Sequence, residues 1–279
     1  MIDLHVHSNK SDGSLTPSEL ISLALEKGLS AIALTDHDTT DGLREFDESA
    51  KSKPIEAIPG IELSTEYEGK DVHIVGLFID ENQPDFQKHL KNFVASREMR
   101  NEKMCANLRT AGLDVSYDAL KKEYPGSVIT RAHYGTYLVK TGVCKSIADA
   151  FSQYLGDHTP YFVPREKVTP DEAVLLIKKA GGIPILAHPI LYHMSAQRLE
   201  LLVSRLVTAG LLGIEAVYST YTTREENQIR RLADKYHLLL SGGSDFHGLA
   251  KPKLQLGTGY GHLNVPDEFL LKMKAMIQQ

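Results

Sequence analysis

The chain has 279 residues, of which 42% are hydrophobic and 24% are charged, a balance that is typical of a folded globular protein and excludes general disorder. Its 31 basic and 36 acidic residues give a net charge of −5, so it lacks the basic character that a long nucleic-acid duplex requires. Two cysteines, Cys105 and Cys144, are too few for a disulfide framework. No apolar run reaches the ~18 residues of a membrane span, and residues 1–7 alternate polar and apolar side chains, unlike a signal peptide. We therefore expect a cytoplasmic protein without membrane contact.

Short apolar runs alternate with helix signals along most of the chain. Thr16, Pro17 and Glu19 form the capping sequence of a first helix, and the same device recurs at 169–172 before a helix that ends at Gly181. This alternation favours a parallel sheet with helical crossovers, either a barrel or a doubly wound sheet. The predicted strands are 2–6, 31–34, 55–58, 72–78, 183–187, 213–217 and 238–241.

Residues 84–164 interrupt the alternation, because they contain no convincing strand. Phe86, Leu90 and Phe93 follow the three- and four-residue steps of an amphipathic helix that Gly112 can close. We predict a helical cap over 84–164, inserted into a main domain formed by residues 1–83 and 165–279. The further helices expected in the cap are 117–124, 132–140 and 146–155.

Twelve histidines are present, and many of them occur with carboxylates at or near the ends of predicted strands. In a strand, His5 and His7 point to the same face, where two buried imidazoles are costly unless they bind something. Active sites of parallel α/β folds gather at the carboxyl ends of strands. The sequence therefore indicates a metal site. The other polar residues at these positions are Asp12, His37, Glu62, His73, Asp245 and His247.

Five ordered motifs resemble those of the PHP (polymerase and histidinol phosphatase) family, whose fold is a distorted seven-stranded β/α barrel that holds two or three divalent metals. The insertion motif Thr130-Arg131-Ala132-His133 and the segment 160–164 are similar to the family's stand-alone nucleotide phosphoesterases. The five motifs are His5-x-His7, Thr35-Asp36-His37, Gly60-Ile61-Glu62, Ala187-His188-Pro189 and Ser244-Asp245-Phe246-His247.

The resemblance implies three sets of metal ligands. The first set is His5, His7, Glu62 and Asp245; the second is Glu62, His73 and His133; the third is Asp12, His37 and His247. Imidazole and carboxylate ligands without thiolate suit first-row divalent metals. We expect two or three ions, with Mn²⁺ as the expected metal and Zn²⁺ or Fe²⁺ as alternatives.

Glu62, His188 and Asp245 are the expected catalytic residues. His188 is also predicted to bind the substrate phosphate or protonate the leaving oxygen, with the orientation of a metal ligand as the alternative role. Arg131 is the second expected substrate-binding residue, because a guanidinium matches phosphate oxygens; the alternative is an ordinary arginine on a helix surface.

The implied function is hydrolysis of the 3′-phosphate of nucleoside 3′,5′-bisphosphates by a metal-bridging hydroxide. The enzymatic alternatives are a 5′–3′ exoribonuclease acting on short RNA and a phosphatase for another metabolite such as histidinol phosphate. The non-enzymatic alternative is a regulatory metal-binding module, which the complete ligand set disfavours. The expected partner is a small phosphorylated nucleotide or a short oligoribonucleotide, and the oligomeric state is left open.

Overall fold

The computed structural model describes residues 1–164 and 168–278. Its strands form one seven-stranded sheet in which spatial order follows chain order. The first and last strands meet where the His7 amide donates to the Phe246 carbonyl at 3.0 Å and the Asp245 amide to the His5 carbonyl at 2.9 Å, so the barrel is nearly closed. The predicted distorted seven-stranded barrel is confirmed. The strands are β1 (Ile2–Val6), β2 (Ala31–Leu34), β3 (Glu56–Tyr67), β4 (Lys70–Leu77), β5 (Ile183–Leu186), β6 (Gly213–Tyr218) and β7 (Leu239–Gly243).

Closure depends on the absence of a side chain at Gly243. A Cβ at this position would lie 2.4 Å from the Cβ of His5 and 2.6 Å from its backbone nitrogen. These distances are far inside van der Waals contact, so only glycine lets the end of β7 pack against β1 at the level of His5.

One part of the sheet differs from the parallel arrangement expected from the sequence. Strands β3 and β4 pair antiparallel, as do β4 and β5. Glu68 and Gly69 connect β3 to β4 with φ angles of 51° and 78°, the left-handed conformation of a two-residue hairpin turn. Because no crossover helix intervenes, Ser64 pairs with His73 and Glu62 with Val75. The hairpin thus brings Glu62 and His73 onto neighbouring strands.

Ten α-helices surround the sheet in the described part of the chain. The predicted capping boxes form: the Thr16 and Thr169 hydroxyls accept hydrogen bonds from the amides of Glu19 and Glu172, whose carboxylates reach back to the cap amides. The helices are α1 (Pro17–Glu26), α2 (Leu43–Ala50), α3 (Pro84–Thr110), α4 (Tyr117–Glu123), α5 (Arg131–Lys140), α6 (Ile147–Ala150), α7 (Pro170–Lys179), α8 (Ala196–Ala209), α9 (Thr223–Tyr236) and α10 (Asp267–Ile277).

Helices α3 to α6 lie between β4 and β5 and enclose an apolar core of their own, which includes Met104, Leu120, Tyr134 and Leu155. α6 continues into a π-helical turn at Phe151–Leu155. The first turns of α3 pack differently, because Phe86, Leu90 and Phe93 belong to the core of the barrel. The domain boundaries near residues 84 and 164 stay a prediction, and residue 165 lies outside the described residues. Over the described residues, no helix combines the length and apolar character needed to cross a membrane.

Candidate metal centre

Buried polar side chains converge at one end of the barrel. His5 lies on β1 and His7 directly follows it, two residues apart and therefore on one face. Glu62 and His73 come from the β3–β4 hairpin, whereas the other members follow strands or lie on connecting loops. All except His73, which is partly exposed, are buried. Besides His5, His7, Glu62 and His73, the members of the cluster are Asp12, His37, His188, Asp245 and His247.

Glu62 lies at the centre of this cluster and contacts histidines with both carboxylate oxygens. Its Oε2 lies 3.3 Å from Nε2 of His5 and 3.2 Å from Nε2 of His7. Its Oε1 lies 2.9 Å from Nδ1 of His73 and 3.0 Å from Nε2 of His188. Each oxygen therefore faces a different set of imidazoles, an arrangement suited to a carboxylate that bridges two metal ions.

Asp12 contacts two further histidines of the cluster, His247 and His37. Its Oδ1 lies 3.2 Å from Nε2 of His247, and its Oδ2 lies 3.8 Å from Nε2 of His37. His37 connects Asp12 with Glu62, since its Nδ1 is 3.1 Å from Oε2 of Glu62. The Thr130 hydroxyl donates to Oδ2 of Asp12 at 2.8 Å. Asp12 is thus held by a residue of the helical insertion.

His133 and His188 occupy places that differ from those expected. The Thr130 amide donates to Nδ1 of His133 at 3.0 Å, so this imidazole caps its own helix. None of the described groups of ligand atoms includes His133, whereas His188 joins His5 and Glu62 in one of them. The expectation that His133 completes a set with Glu62 and His73 stays a prediction, and these groups do not support it. The sequence alone leaves the role of His133 open, because a histidine three residues after the N-cap Thr130 can bond either to the helix or to a metal.

Glu215 orients His5 and His188 through hydrogen bonds. It was not among the site residues predicted from the sequence. Nδ1 of His5 donates to its Oε1 at 3.1 Å, and the His188 amide donates to its Oε2 at 2.7 Å. The first bond leaves Nε2 of His5 pointing at Glu62, as a metal ligand requires. The signal for Glu215 was a carboxylate in the middle of an otherwise apolar strand, β6, where burial is costly without partners.

Asp245 is fixed by two donors that the sequence also left unassigned. The Tyr218 hydroxyl and Nζ of Lys251 each donate to its Oδ2 at 2.6 Å. Its Oδ1 instead faces His7, at 3.3 Å from Nε2. Asp245 and His188 have φ angles of 58° and 28°, and left-handed backbone at residues other than glycine costs ~1–3 kcal/mol each and clusters at functional sites.

The charges of the cluster favour ionised carboxylates. Burial opposes ionisation of Glu62, but the surrounding imidazoles, among them His5, and a hydrogen bond from His188 hold the pKa of its carboxyl well below the usual value. Burial lowers the pKa of His37 to about 3 in spite of the nearby carboxylates Glu62 and Asp12. For His7, burial is outweighed by Asp245 and Glu62, which raise its pKa to about 9. A cation that binds His7 must therefore displace a proton.

The donor set fits divalent metal ions. The Nε2 atoms of His5 and His7 and Oδ1 of Asp12 are buried and lack a hydrogen-bond partner among the described residues. Buried polar atoms without partners are costly unless a ligand or ion satisfies them. The ligand atoms within each group lie within 4.8 Å of one another, and imidazole with carboxylate suits Mn²⁺, Fe²⁺, Co²⁺ or Zn²⁺. The cluster is therefore able to hold metal ions.

A cavity of about 320 Å³, here called the site cavity, opens above the cluster. Four cationic residues line it: Arg97, Arg100, Arg131 and Lys251. Nε of Arg97 donates to Asp38 at 2.8 Å, and Nη2 of Arg131 donates to Asp71 at 2.6 Å, so two of the guanidinium groups are held in fixed orientations.

Comparison with known proteins agrees with this geometry. The sequence pattern of the PHP domain matches residues 3–179, which is more than half of the chain. The chain belongs to the PHP domain family. Most proposed ligands of the barrel lie within this match, whereas His188, Asp245 and His247 follow it.

Proteins similar over most of the chain act on phosphate esters of nucleotides or RNA according to their names. A 5′-3′ exoribonuclease of Haemophilus influenzae is 39% identical over 88% of this chain and 89% of its own. A 3′,5′-nucleoside bisphosphate phosphatase of Chromobacterium violaceum is 36% identical over 88% of this chain and 87% of its own. The structure of a protein assigned as a metal-dependent phosphoesterase, from Bifidobacterium adolescentis, covers 98% of this chain and 95% of that one with a TM-score of 0.85 and 26% identity. This PHP protein is a metal-dependent phosphoesterase.

Proposed function

We propose that this PHP protein hydrolyses the 3′-phosphate of nucleoside 3′,5′-bisphosphates, releasing the 5′-monophosphate and inorganic phosphate. The observation that carries the proposal is the position of four cationic side chains around the site cavity, directly above a buried cluster of metal-ligating groups. A substrate with two phosphates has a use for both features, because one phosphate lies at the metals and the other needs a separate cationic contact.

Of the three ligand sets expected from the sequence, the first and the third are kept in the proposal. The second set, which contained Glu62, His73 and His133, is changed. His5, His7, Glu62 and Asp245 would hold one ion, and Asp12, His37 and His247 would hold another. For the third ion, Glu62 and His73 are joined by His188, whose Nε2 is 3.0 Å from Glu62, instead of by His133. When bound, paired divalent ions lower the pKa of a shared water and clamp a phosphoryl oxygen. Mn²⁺ is the proposed metal.

The residues of the chain then have distinct tasks. Glu215 and Tyr218 fix the orientation of His5 and Asp245. Arg131, which Asp71 holds in place, contacts the second phosphate of the substrate, since a guanidinium matches phosphate oxygens in geometry and charge. Lys251 lies at the wall of the site cavity and adds a positive charge beside the reacting phosphate.

A 5′–3′ exoribonuclease acting on short RNA is the second candidate. The name of the Haemophilus influenzae relative favours it, and a further cavity beside Asp12 supports a substrate larger than a mononucleotide. The two activities break the same bond, between phosphorus and the 3′ oxygen of the first nucleotide, so one site is able to perform both.

The test is a comparison of phosphate esters with protein loaded with Mn²⁺. Adenosine 3′,5′-bisphosphate, 5′-AMP and histidinol phosphate are incubated separately, and inorganic phosphate and nucleotide products are quantified by chromatography. We expect the bisphosphate to give 5′-AMP and phosphate while 5′-AMP itself is left intact. An Arg131→Met variant is expected to raise KM for the bisphosphate, and His262→Gln, at an exposed histidine, serves as the control.

Two outcomes contradict the proposal. Release of phosphate from 5′-AMP at the rate of the bisphosphate removes the specificity for the 3′-phosphate. Turnover of histidinol phosphate without turnover of the bisphosphate assigns the metal centre to another metabolite.

A further inference from the structure

A second cavity, of about 380 Å³, adjoins the site cavity beside the metal cluster. Asp12, Ala132, Ile147 and Ala250 line both cavities, so the two spaces meet at Asp12, a member of the cluster. The volume lies in the ~300–1,000 Å³ range of small-molecule sites. A substrate whose phosphate lies at the cluster can therefore extend from the site cavity into this second cavity.

The two cavities differ in charge. Arginines and a lysine line the site cavity together with carboxylates, whereas none of the described residues around the second cavity is an arginine or a lysine. Glu123, at the second cavity, is paired with Lys140. A wall without arginine or lysine gives a phosphate no cationic partner and suits an uncharged group that is attached to one. The same phosphate can still bind at the cluster, where bound metal ions would supply positive charge.

The walls of the second cavity carry the groups that recognise a nucleoside. The ring of Tyr124 lies 4.3 Å from that of His133, and both line the cavity, which provides an aromatic surface for a base. Leu249 also lines it, although its side chain is 82% exposed, so an apolar surface faces the opening. The amide oxygen of Asn9 is buried there without a hydrogen-bond partner among the described residues, and a ribose hydroxyl or base amino group can donate to it.

The bond that breaks in the reaction determines which nucleoside of the substrate could occupy the second cavity. Water attacks the phosphorus, the bond from phosphorus to the 3′ oxygen of the first nucleotide breaks, and that oxygen takes up a proton. The phosphate leaves either as inorganic phosphate or with the 5′ oxygen of a second nucleoside still attached. Only in the second case does the substrate need space beyond the phosphate.

We propose that the second cavity binds the nucleoside of the second nucleotide in short 5′-phosphorylated oligoribonucleotides. This inference rests on the proposed function and extends it, since it assigns the nucleoside that follows the scissile phosphate to residues on the cap and on the loop after His247. Tyr124 and Leu249 are the specificity-determining residues, and Thr136 lines the same cavity.

The experiment measures kcat/KM for two substrates, adenosine 3′,5′-bisphosphate (pAp) and the 5′-phosphorylated dinucleotide pApA, with each protein loaded with Mn²⁺. Leu249→Ser removes an exposed apolar contact with little effect on folding, and Thr136→Trp fills the second cavity. We expect each to lower the ratio of kcat/KM for pApA to that for pAp by about fivefold or more, the equivalent of one lost stacking contact. Leu271→Ser, at an apolar side chain on α10 that is 64% exposed, is the matched control and leaves the ratio unchanged.

The results separate this inference from the proposed function. If the original protein hydrolyses pAp but not pApA, or if neither variant changes the ratio, the second cavity does not bind the second nucleoside and the proposed function stands. If the original protein hydrolyses neither substrate, the proposed function itself fails. Turnover of pAp by each variant reports that it is folded, and a Thr136→Trp protein that does not fold leaves the decision to Leu249→Ser.

Discussion

Removal of the Tyr218 hydroxyl tests how Asp245 is held as a metal ligand. In Tyr218→Phe, Oδ2 of Asp245 loses the hydrogen bond that the hydroxyl donates at 2.6 Å but keeps the one from Lys251. A hydrogen bond to a charged group contributes about 1.5–3 kcal/mol, and loss of a partner of a metal ligand typically costs ~10–100-fold in affinity. Because one donor remains, we expect the lower end of this range, a roughly tenfold weaker affinity for Mn²⁺.

The assay is calorimetric titration of metal-free protein with Mn²⁺, followed by turnover of adenosine 3′,5′-bisphosphate at a fixed Mn²⁺ concentration below saturation. Tyr221→Phe is the matched control, because its hydroxyl accepts a hydrogen bond from the Ile190 amide at 3.0 Å and contacts no proposed metal ligand. A folded Tyr218→Phe protein that binds Mn²⁺ as tightly as the control refutes the role given to Tyr218.

Three further predictions follow from the packing and the ligand geometry. Gly243→Ala places a Cβ 2.4 Å from that of His5, so differential scanning calorimetry should show a loss of about 1–3 kcal/mol or more of stability; an unchanged melting temperature contradicts the account of barrel closure. His188→Gln should release metal and lower kcat at least ~10-fold, whereas His133→Gln should retain the metal, and elemental analysis of both variants distinguishes them; equal losses contradict the proposed sets. Removal of metal by a chelator should lower the melting temperature, since a ligand at ~100 times its Kd contributes about 2.7 kcal/mol; an unchanged value contradicts binding at the cluster.

The sequence predicted the parallel strands and the capped helices well because their signals are local. The capping boxes at Thr16 and Thr169 formed as expected, and the HxH spacing placed His5 and His7 on one face. The antiparallel hairpin was not predicted, because the hydrophobic pattern of a strand does not reveal whether it pairs parallel or antiparallel with its neighbour. The Glu68-Gly69 turn also lacks a strong sequence signature.

The partners of the cluster depended on the tertiary fold and were harder to predict. Glu215 is distant in sequence from His5, and its hydrogen bond to that histidine becomes visible only when β6 is placed near β1. His133 follows a helix cap and His188 follows the end of a strand, and either position is compatible with a metal ligand in sequence. Only the distances of their ring nitrogens from Glu62 in the folded protein distinguish the two roles. Long-range contacts of this kind leave no periodic pattern in the chain.

The central claim is that Glu62 joins two sets of metal ligands at the site of hydrolysis. Its most direct test is the metal content per chain of the original protein and of Glu62→Gln after loading with Mn²⁺, measured by elemental analysis on samples that are also assayed with adenosine 3′,5′-bisphosphate. We predict two or three ions in the original protein, and in Glu62→Gln the loss of bound metal together with the loss of turnover. A Glu62→Gln protein that keeps both its metal and its activity contradicts the claim.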